Sequence, residues 1–325
     1  MNQTSRKATA VAETISRNAG FLIAGHVKPD GDSLGCMCAL GLGLRSLGKR
    51  VTMLSPEGVP GIYAFLPGTD GIVTSLPEGD ASEVAVIVDC EGPDRLGDAR
   101  DAVLRCSAVV RIDHHPGGDL DAPLSLVDTE SASTAEVLLT VLRAVGVKTT
   151  PEIATCLLTA IVTDTGSFRF SNVRAATLRT AADLVEAGAS LHEIAYHVYD
   201  TRTYSSVRLL GLVLSTVRTA SDGRIAYARV TREHLAAAQA ADADTEGIVN
   251  YVKGVLGADV GLLFREAPDN TIRVSLRCRD GLDVSRVARM FGGGGHTVAA
   301  GCTIETPLDE AERLVIGAVR ACMGF

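Results

Sequence analysis

The sequence predicts an α/β protein: a doubly wound, mostly parallel sheet in an N-terminal domain, then a helical linker and a smaller α+β domain. Strand-length apolar runs alternate with helical segments through the first half of the chain. From residue 218 onward, strand-like runs separated by hairpin-type turns replace that alternation. The length of 325 residues also fits two domains at roughly 150 residues each.

The predicted N-terminal domain covers 1–194 and the predicted linker covers 195–217. Strands are predicted at FLIAG (21–25), RVTMLS (50–55), VAVIVD (84–89) and VVRID (109–113). Their nearly continuous apolar character is expected of strands that are covered on both faces. Helices are predicted at 33–49, at 134–146, where Gly146 ends the helix, and at 151–164, where Pro151 begins it.

The predicted C-terminal domain covers 218–325. Strands are predicted at RIAYARVT (224–231), ADVGLLFRE (258–266) and TIRVSLRCR (271–279), with hairpin-type turns at 221–223 and 268–270. The segment DVSRVARMF (283–291) reads as a short helix with Asp283 as its N-cap.

Composition excludes several classes of protein. No run of about 18 uncharged apolar residues and no N-terminal apolar signal are present, which argues against a membrane span and against export. The eight cysteines include no CxxC pair, so a zinc ribbon or a disulfide framework is disfavoured and a cytoplasmic location is expected. The net charge of −8 disfavours a protein that coats long duplex nucleic acid.

The charge is unevenly distributed along the chain. Residues 1–217 carry 18 Lys and Arg against 25 Asp and Glu, whereas residues 218–325 carry 13 against 14. Within 270–304 there are five Arg against two Asp. This arrangement suits metal ions in the first half and a phosphate-bearing ligand in the second.

Acidic and histidine side chains follow the ends of several predicted elements. Three clusters follow strands and the fourth ends a helix; the residues are His26, Asp30 and Asp32, then Asp89, then Asp113, His114 and His115, and finally Asp164. In open parallel sheets the ligand site lies beyond the carboxyl ends of the strands. We therefore expect these side chains to converge there.

The spacing in the first cluster predicts two metal ions. His26 and Asp30 bracket a turn and can close on one ion, while a turn at Gly31 can direct Asp30 and Asp32 to different ions. Asp89 is the natural bridge, and His114 and Asp164 complete the second set. Such ligands suit Mn²⁺, with Mg²⁺, Co²⁺ or Fe²⁺ as alternatives. Two ions about 3.5–4 Å apart fit phosphoester hydrolysis by an activated water.

Each cluster alone has an ordinary structural interpretation. Asp32 and Ser33 could cap the next helix, with Ser33 able to do so if Asp32 binds a metal. Asp89 could cap a strand end, and the other two clusters could be solvated turns. The occurrence of all four at element ends favours the metal site. His192, His197 and His234 lie in helical segments and are expected to be surface or packing residues.

A second candidate region lies near the C-terminus, in MFGGGGHTVAAGC (290–302). The glycines would let backbone N–H groups approach a ligand, and His296 could donate to a phosphate. A flexible loop is the alternative, but the flanking helix and apolar segment favour a shaped loop. Upstream, Ser275 and Arg277 share one face of a predicted strand and could clamp a phosphate.

Several segments together resemble the motifs of the DHH phosphoesterase superfamily. They are HVKPDGDSLG (26–35), VDCEGPDR (88–95), IDHH (112–115) and TDTGSF (163–168). GGGGHTVAAG (292–301) resembles the glycine–histidine signature of the DHH-associated C-terminal domain. Length and a short hinge between the halves are similar to the nanoRNase subgroup. Its members are oligoribonucleases that also dephosphorylate 3′-phosphoadenosine 5′-phosphate, and some act on cyclic-dinucleotide products.

The resemblance implies a role for each matching residue. One ion would be held by His26, Asp30 and Asp89, and the other by Asp32, Asp89, His114 and Asp164. Asp113 would orient a histidine ligand, and His115 would face the scissile phosphate or the leaving group, so that Asp89, Asp113 and His115 form the catalytic set. The nucleotide would be held by Ser275, Arg277, Gly293, Gly294, Gly295 and His296. Closure about the linker would exclude water and complete the site.

The expected function is metal-dependent hydrolysis of short single-stranded oligoribonucleotides and of 3′-phosphoadenosine 5′-phosphate. Alternatives are a manganese inorganic pyrophosphatase, a cyclic or linear dinucleotide phosphodiesterase, a processive single-strand exonuclease and a non-catalytic nucleotide sensor. The glycine–histidine loop argues against the pyrophosphatase, the length and acidity against the processive enzyme, and the complete ligand set against the sensor. The sequence leaves open the preferred substrate, the native metal, the polarity, a homodimeric state, and whether Tyr251 or Phe168 stacks on a base.

Overall fold

The computed structural model describes residues 3–115, 117, 122–279 and 281–324, with the side chains of 3–5 and of His296 outside the described part. The chain divides into two compact units, 1–201 and 202–325. The division falls inside the segment predicted as a linker. No helix among the described residues is long and apolar enough to cross a membrane.

The first unit is built on six parallel strands. They are β1 Gly20–Ala24, β2 Arg50–Leu54, β3 Ile72–Val73, β4 Val84–Val88, β5 Ala108–Asp113 and β6 Leu124–Val127, in the order β3-β2-β1-β4-β5-β6. The order reverses between β1 and β4, which is the switch point where doubly wound sheets bind ligands. The prediction of a doubly wound, mostly parallel sheet is confirmed.

Seven α-helices of the first unit cover the two faces of this sheet. They are α1 Gln3–Arg17, α2 Gly31–Ser46, α3 Arg100–Arg105, α4 Thr134–Ala144, α5 Pro151–Asp164, α6 Ala175–Glu186 and α7 Leu191–Ala195 among the described residues. In β1, Phe21 and Ile23 pack into the larger core with α2, α4 and α5, while Leu22 and Ala24 pack into the smaller core with α3. Alternation of side chains along a strand thus feeds two cores.

Helices α2 and α5 approach each other closely over that larger core. A Cβ atom at Gly35 would lie 2.5 Å from the carbonyl oxygen of Cys156, so only glycine fits there. This contact sets the C-terminal end of α5, and with it Asp164, against the first turn of α2. The fold thereby brings a helix end to the strand ends at which the other ligand-type side chains lie.

The second unit has a mixed sheet with helices on both faces. Its strands are β7 Arg218–Ala220, β8 Ile225–Val230, β9 Val260–Glu266, β10 Ile272–Cys278, β11 Gly294–His296 and β12 Ala299–Ile304, in the order β11-β12-β10-β9-β8-β7. Its helices are α8 Tyr204–Leu214, α9 Arg232–Ala238, α10 Ile248–Lys253, α11 Val284–Met290 and α12 Leu308–Met323. Among these described strands only β8 and β9 run parallel; the other pairings are antiparallel.

Local features of this unit follow the sequence. Ser221 and Asp222 have positive φ in the β7–β8 hairpin, and Asn270 has φ 65° between β9 and β10, so both predicted turns are confirmed. Asp283 caps α11 as predicted, because its carboxylate accepts from the backbone N–H of Ser285. Helix α8, which lies inside the predicted linker, buries Leu209 and Val213 in the core of the second unit.

Candidate active site

The carboxyl ends of three central strands lie side by side, because β4 pairs with both β1 and β5. Ligand-type side chains follow each of these strands, and α5 ends at Asp164. Their ligand atoms form three groups, in each of which the atoms lie within 4.8 Å of one another: His26, Asp30 and Asp89; Asp32, His114 and Asp164; and Asp89, His114 and His115. The structure thus brings together the residues that the sequence places at the strand ends.

The His26 group is one half of this cluster. The Nε2 atom of His26 lies 3.6 Å from Oδ1 of Asp30 and 3.4 Å from Oδ2 of Asp89. Its Nδ1 lies 2.7 Å from the carbonyl oxygen of Val27 and donates to it, which directs Nε2 towards the carboxylates. Burial alone would lower the pKa of His26, but hydrogen bonds to Asp30 and Asp89 outweigh it and raise the pKa to about 10.

The His114 group is the other half. Its Nε2 lies 3.1 Å from Oδ2 of Asp164, 3.7 Å from Oδ2 of Asp32 and 3.9 Å from Oδ1 of Asp89. Its Nδ1 lies 3.1 Å from the carbonyl oxygen of Ser131, so the two imidazoles are oriented in the same way. Burial again opposes the charge on His114, and the facing carboxylates, Asp164 foremost, raise its pKa to about 10.

Asp89 connects the two groups. Its Oδ2 faces His26 and its Oδ1 faces His114. It adopts a left-handed backbone conformation with φ 55°, which asparagine and aspartate tolerate better than other residues. That conformation turns the side chain away from the alternation of β4 and into the space between the groups. One carboxylate therefore presents an oxygen to each side, as the sequence predicts for a bridging ligand.

Asp113 holds the ring of His115. Its Oδ1 accepts from Nδ1 of His115 at 2.9 Å and from the backbone N–H groups of His114 and His115, while Oδ2 accepts from Arg111. Burial would raise the pKa of Asp113, but the bonds from His115 and Arg111 hold it well below its usual range. The histidine ring that Asp113 orients directly is thus that of His115, and its link to His114 is through the backbone.

Helix α2 is capped by a different residue from the pair suggested by the sequence. Asp30 is the N-cap, and its Oδ1 accepts from the backbone N–H groups of Asp32 and Ser33. Asp32 lies inside the first turn, where its carboxylate accepts from Ser133 and Thr134 instead. The interpretation of Asp32 and Ser33 as the cap is therefore wrong, because the helix begins two residues earlier than it requires.

The cluster fits divalent cations. The Nε2 atom of His114 is buried, and although Oδ2 of Asp164 lies 3.1 Å away, no described residue meets it with good hydrogen-bond geometry; a coordinated ion would satisfy it. Burial, followed by repulsion from Asp89 and Asp164, raises the pKa of Asp32 well above its usual value, and a nearby dication would reverse that effect. Carboxylate oxygens combined with imidazole nitrogens form a donor set that divalent transition metals accept.

Two of the remaining histidines, His197 and His234, make packing or capping contacts within their own units, as the sequence predicts. The ring of His197 stacks on Phe65 with a centroid distance of 4.4 Å. Nδ1 of His234 accepts from the backbone N–H of Thr231 at 3.4 Å, within the capping box of α9. These two histidines have packing or capping roles.

The second unit presents a half-exposed face on β10. Ser275 and Arg277 alternate with the buried residues Val274, Leu276 and Cys278, so they share one face as predicted. Arg277 pairs with Ala299 on β12, and Ser275 pairs with Gly301. Burial lowers the pKa of Arg277, with Glu246 acting in the opposite direction. The guanidinium is thus partly desolvated, and the residues paired with Arg277 on the neighbouring strands, Ala299 and Gly261, are small.

The glycine run forms part of the sheet. Gly294 and Gly295 belong to β11 and pair with Gly301 and Ala300 of β12. A Cβ atom at Gly293 would lie 2.1 Å from the carbonyl oxygen of Gly301, and Gly295 has φ 131°. The backbone of His296 ends β11, while its side chain lies outside the described part of the chain. A shaped loop, expected from the flanking segments, is therefore confirmed for the backbone.

Comparison with known proteins places this chain in a family. The DHH family, N-terminal domain, matches residues 20–161, and the DHHA1 domain matches residues 222–323. A bifunctional oligoribonuclease and PAP phosphatase NrnA from Thermus thermophilus is 35% identical over 319 residues, which cover 97% of this chain and 94% of that protein. This chain belongs to the DHH family of phosphoesterases. It is a hydrolase that acts on phosphoester bonds.

Further relatives agree with this membership. The bifunctional oligoribonuclease and PAP phosphatase NrnA of Bacillus subtilis is 27% identical over 317 residues, which cover 97% of this chain and 98% of that protein. The crystal structure of an exopolyphosphatase-related protein from Bacteroides fragilis matches with a TM-score of 0.92 at 24% identity, over 99% of this chain and 98% of that one. The structural likeness establishes that this DHH chain has a fold in common with that protein.

Sequence reasoning missed several residues around the DHH site. Ser131, Ser133 and Thr134, in SASTAE (131–136), contact the predicted ligands, and Arg111 contacts Asp113. A signal was present, because Ser133 followed three residues later by Glu136 is a capping pattern that begins a helix. Nothing in that pattern indicates that the helix would begin against carboxylates from two other elements.

Proposed function

We propose that this DHH phosphoesterase hydrolyses short single-stranded oligoribonucleotides to mononucleotides and converts 3′-phosphoadenosine 5′-phosphate to AMP. The observation that carries the proposal is the pair of Asp/His groups sharing Asp89. It is supported by the bifunctional oligoribonuclease and PAP phosphatase relatives, which match this chain over nearly its whole length.

We propose that two divalent ions, Mn²⁺ by preference, bind in these groups. His26, Asp30 and Asp89 would hold one, and Asp32, Asp89, His114 and Asp164 the other. Such ions lower the pKa of a water nucleophile and stabilise the charge that develops on the phosphoryl oxygens. The protein contributes the fixed directions of its ligand atoms, which Val27 and Ser131 set for the two imidazoles.

Asp113 and His115 have a separate role in this proposal. Asp113 anchors Nδ1 of His115, so the ring orientation is fixed before substrate arrives. A fixed imidazole next to the ligands can hydrogen-bond a phosphoryl oxygen or pass a proton to the departing oxygen. Arg111 keeps Asp113 ionised and fixed, which preserves that orientation.

Binding of the nucleotide is assigned to the DHHA1 unit. We propose that Arg277 and Ser275 bind a phosphate, while the backbone around Gly293, Gly294, Gly295 and His296 approaches the nucleotide. The support is the shared face of Ser275 and Arg277 and the absence of Cβ atoms on the neighbouring glycines. A guanidinium forms paired hydrogen bonds with phosphate oxygens, so Arg277 would supply most of the affinity.

A cytoplasmic location also belongs to this proposal. All eight cysteines carry free thiols in the structure, and six of them, including Cys38 and Cys156, are buried. Free thiols are typical of proteins from a reducing compartment, where short RNA fragments and phosphorylated nucleotides are present.

A substrate panel tests the proposal. The full-length protein with Mn²⁺ would be given RNA of two to five nucleotides, 3′-phosphoadenosine 5′-phosphate, linear and cyclic diadenylate, and pyrophosphate, with products separated by chromatography. We expect mononucleotides from the short RNA and AMP from the bisphosphate. Turnover of pyrophosphate without turnover of the RNA would overturn the proposal. A preference for diadenylates over every RNA would replace it with a dinucleotide phosphodiesterase.

A further inference from the structure

The first turn of α4 lies against the predicted ligands Asp32 and Asp89. Ser133 is the N-cap of α4, and its side chain accepts from the backbone N–H of Ala135. Ser133 and Thr134 are completely buried, as is Asp32, and Asp89 is 2% exposed. Polar groups buried to this degree are costly unless each is paired, so their partners determine how they are oriented.

Hydrogen bonds from this turn distinguish the two oxygens of Asp32. Its Oδ1 accepts from Oγ of Ser133 at 2.8 Å and from Sγ of Cys36 at 3.4 Å. Its Oδ2 accepts from the backbone N–H of Thr134 at 2.8 Å and lies 3.7 Å from Nε2 of His114. Since Oδ1 is occupied by two donors, Oδ2 is the oxygen presented to the His114 group.

The same turn distinguishes the two oxygens of Asp89. Its Oδ1, which faces His114, accepts from Oγ1 of Thr134 at 3.1 Å. Its Oδ2 lies 3.4 Å from His26. Nδ1 of His115 also lies 3.5 Å from Oδ1. The Thr134 hydroxyl thus helps to fix the rotation of the carboxylate that bridges the two groups.

The His26 group is held by another helix. Oδ1 of Asp30 accepts from the backbone N–H groups of Asp32 and Ser33, at the start of α2. Helix N-termini favour ionised carboxylates, because their N–H groups and partial positive charge point outward. Asp30, which serves the His26 group, is thus oriented by the start of α2, whereas Asp32 and the shared Asp89 are oriented by the start of α4.

We propose that Ser133 and Thr134 are positioning residues of the metal centre, which fix the oxygens of Asp32 and Asp89 that serve the ion in the His114 group. The inference rests on the proposed two-ion function. It goes further in tracing the orientation of these oxygens to two residues of α4 that are not themselves among the proposed ligands. Thr134 has the larger share, because it contacts both carboxylates. Groups that orient ligands in this way are typically worth about 10- to 100-fold in metal affinity.

The test is a titration of Mn²⁺ into the metal-stripped full-length protein. Binding is measured by calorimetry and by the electron paramagnetic resonance signal of free Mn²⁺. Thr134→Val removes the hydroxyl while keeping the side-chain size and the backbone N–H. We expect this variant to bind Mn²⁺ about 10- to 100-fold more weakly at the site in the His114 group, with a clearly smaller loss at the other site, which Thr134 reaches only through Asp89. Thr134→Ser restores the hydroxyl and should bring both sites back to within about threefold of wild type.

Thr140→Val is the matched control. Thr140 lies on the same helix, is exposed, and bonds only to the carbonyl oxygen of Val137 within its own helix. Its isotherm should equal that of wild type. The kcat of Thr134→Val should fall at low Mn²⁺ and recover at high Mn²⁺, with KM for substrate unchanged, which a general loss of folding would not produce.

Three outcomes would overturn the inference: a wild-type isotherm for Thr134→Val, equal weakening of both sites, or no recovery with Thr134→Ser. Ser133→Ala gives a second reading, with a smaller loss expected at the same site because it releases only one oxygen of Asp32. The isotherms require no substrate, so failure of the oligoribonuclease proposal would leave them unchanged. A protein with two sites and the wrong substrate would refute the proposed function alone.

Discussion

The charged residues of the candidate metal site in the N-terminal unit are buried, whereas Arg277, on the proposed binding face of the C-terminal unit, is half-exposed. Asp32, Asp89 and Asp113 lie beside imidazoles and a guanidinium, and each has at most 2% exposure. In the C-terminal unit, Arg277 lies on an open sheet face among alanine and glycine residues. A buried charge requires fixed partners from several secondary-structure elements, whereas a binding face can be built from one strand and one hairpin. Catalytic and binding losses should therefore separate by mutation.

The largest effect should come from the bridging carboxylate. Asp89→Asn keeps the shape and tolerates the left-handed backbone, but it removes the charge shared by both ligand groups. We expect kcat to fall by at least about 10³-fold, because the ions supply several kcal/mol and about 1.36 kcal/mol corresponds to a factor of ten. Steady-state kinetics with Mn²⁺ measures this loss. Asp98→Asn, an exposed change in the same region, should be silent; near-normal turnover in Asp89→Asn would contradict the bridging role.

Proton competition should be the next largest effect. The metal-free protein holds protons on His26 and His114, whose pKa values are raised to about 10. Because each ion would displace the proton of one imidazole, Mn²⁺ affinity at each site should rise by up to about tenfold per pH unit between pH 7 and 9. Calorimetry in buffers of different ionisation enthalpy measures the protons released. A pH-independent affinity would show that these imidazoles are not ligands.

The stability of the metal-free protein should depend on pH in the opposite direction from its Mn²⁺ affinity. Both histidines have a folded pKa above the unfolded value, so their contribution is complete below about pH 6.5 and is lost as the pH rises through about 10. Thermal melts of the metal-stripped protein should show a lower Tm at pH 9 than at pH 7. The difference should shrink in a His26→Gln variant.

A substitution on the proposed phosphate-binding face of β10 should change KM more than kcat. Arg277→Ala removes a charge-assisted bond to phosphate, worth about 1.5–3 kcal/mol, and should raise KM by about 10- to 100-fold with kcat within a few-fold. The control is Arg286→Ala, an exposed arginine on α11, which packs on the opposite face of the sheet. Initial rates on a diribonucleotide measure both. A loss confined to kcat would remove Arg277 from substrate binding.

The smallest effect should come from the glycine hairpin. Gly293→Ala places a Cβ atom 2.1 Å from the carbonyl oxygen of Gly301, and such overpacking costs about 1–3 kcal/mol. We expect a lower Tm together with weaker substrate binding. At Gly294 an added Cβ meets nothing within 4 Å, so Gly294→Ala should retain its Tm. If the two variants have the same Tm, the hairpin accommodates the added Cβ atom at Gly293 without a loss of stability.

The sequence was sufficient for the strands that carry the site. Apolar runs bounded by acidic or histidine residues located β1, β4 and β5 to within a residue or two, and Pro151 and Asp164 are the observed ends of α5. Convergence at the switch point follows from parallel topology alone, so the ligand cluster could be anticipated without coordinates. These features depend on local patterns and one general rule of sheet geometry.

Other features depend on tertiary contacts and could not be anticipated. The segment DGDS offers two aspartates that could cap α2, and only packing of the first turn selects Asp30 and leaves Asp32 for Ser133 and Thr134. Helix α8 looked like part of a linker, but its apolar face is buried in the second unit. Strand β3 has two residues and no apolar pattern long enough to detect.

The strands at the edges of both sheets are short. β3, β6, β7 and β11 have two, four, three and three residues, whereas strands in general average about 5–6 residues. A short edge offers few unpaired N–H and C=O groups to another chain, so sheet-to-sheet addition between molecules is disfavoured. The consequence is colloidal: this protein should stay dispersed at high concentration, including while stripped of metal.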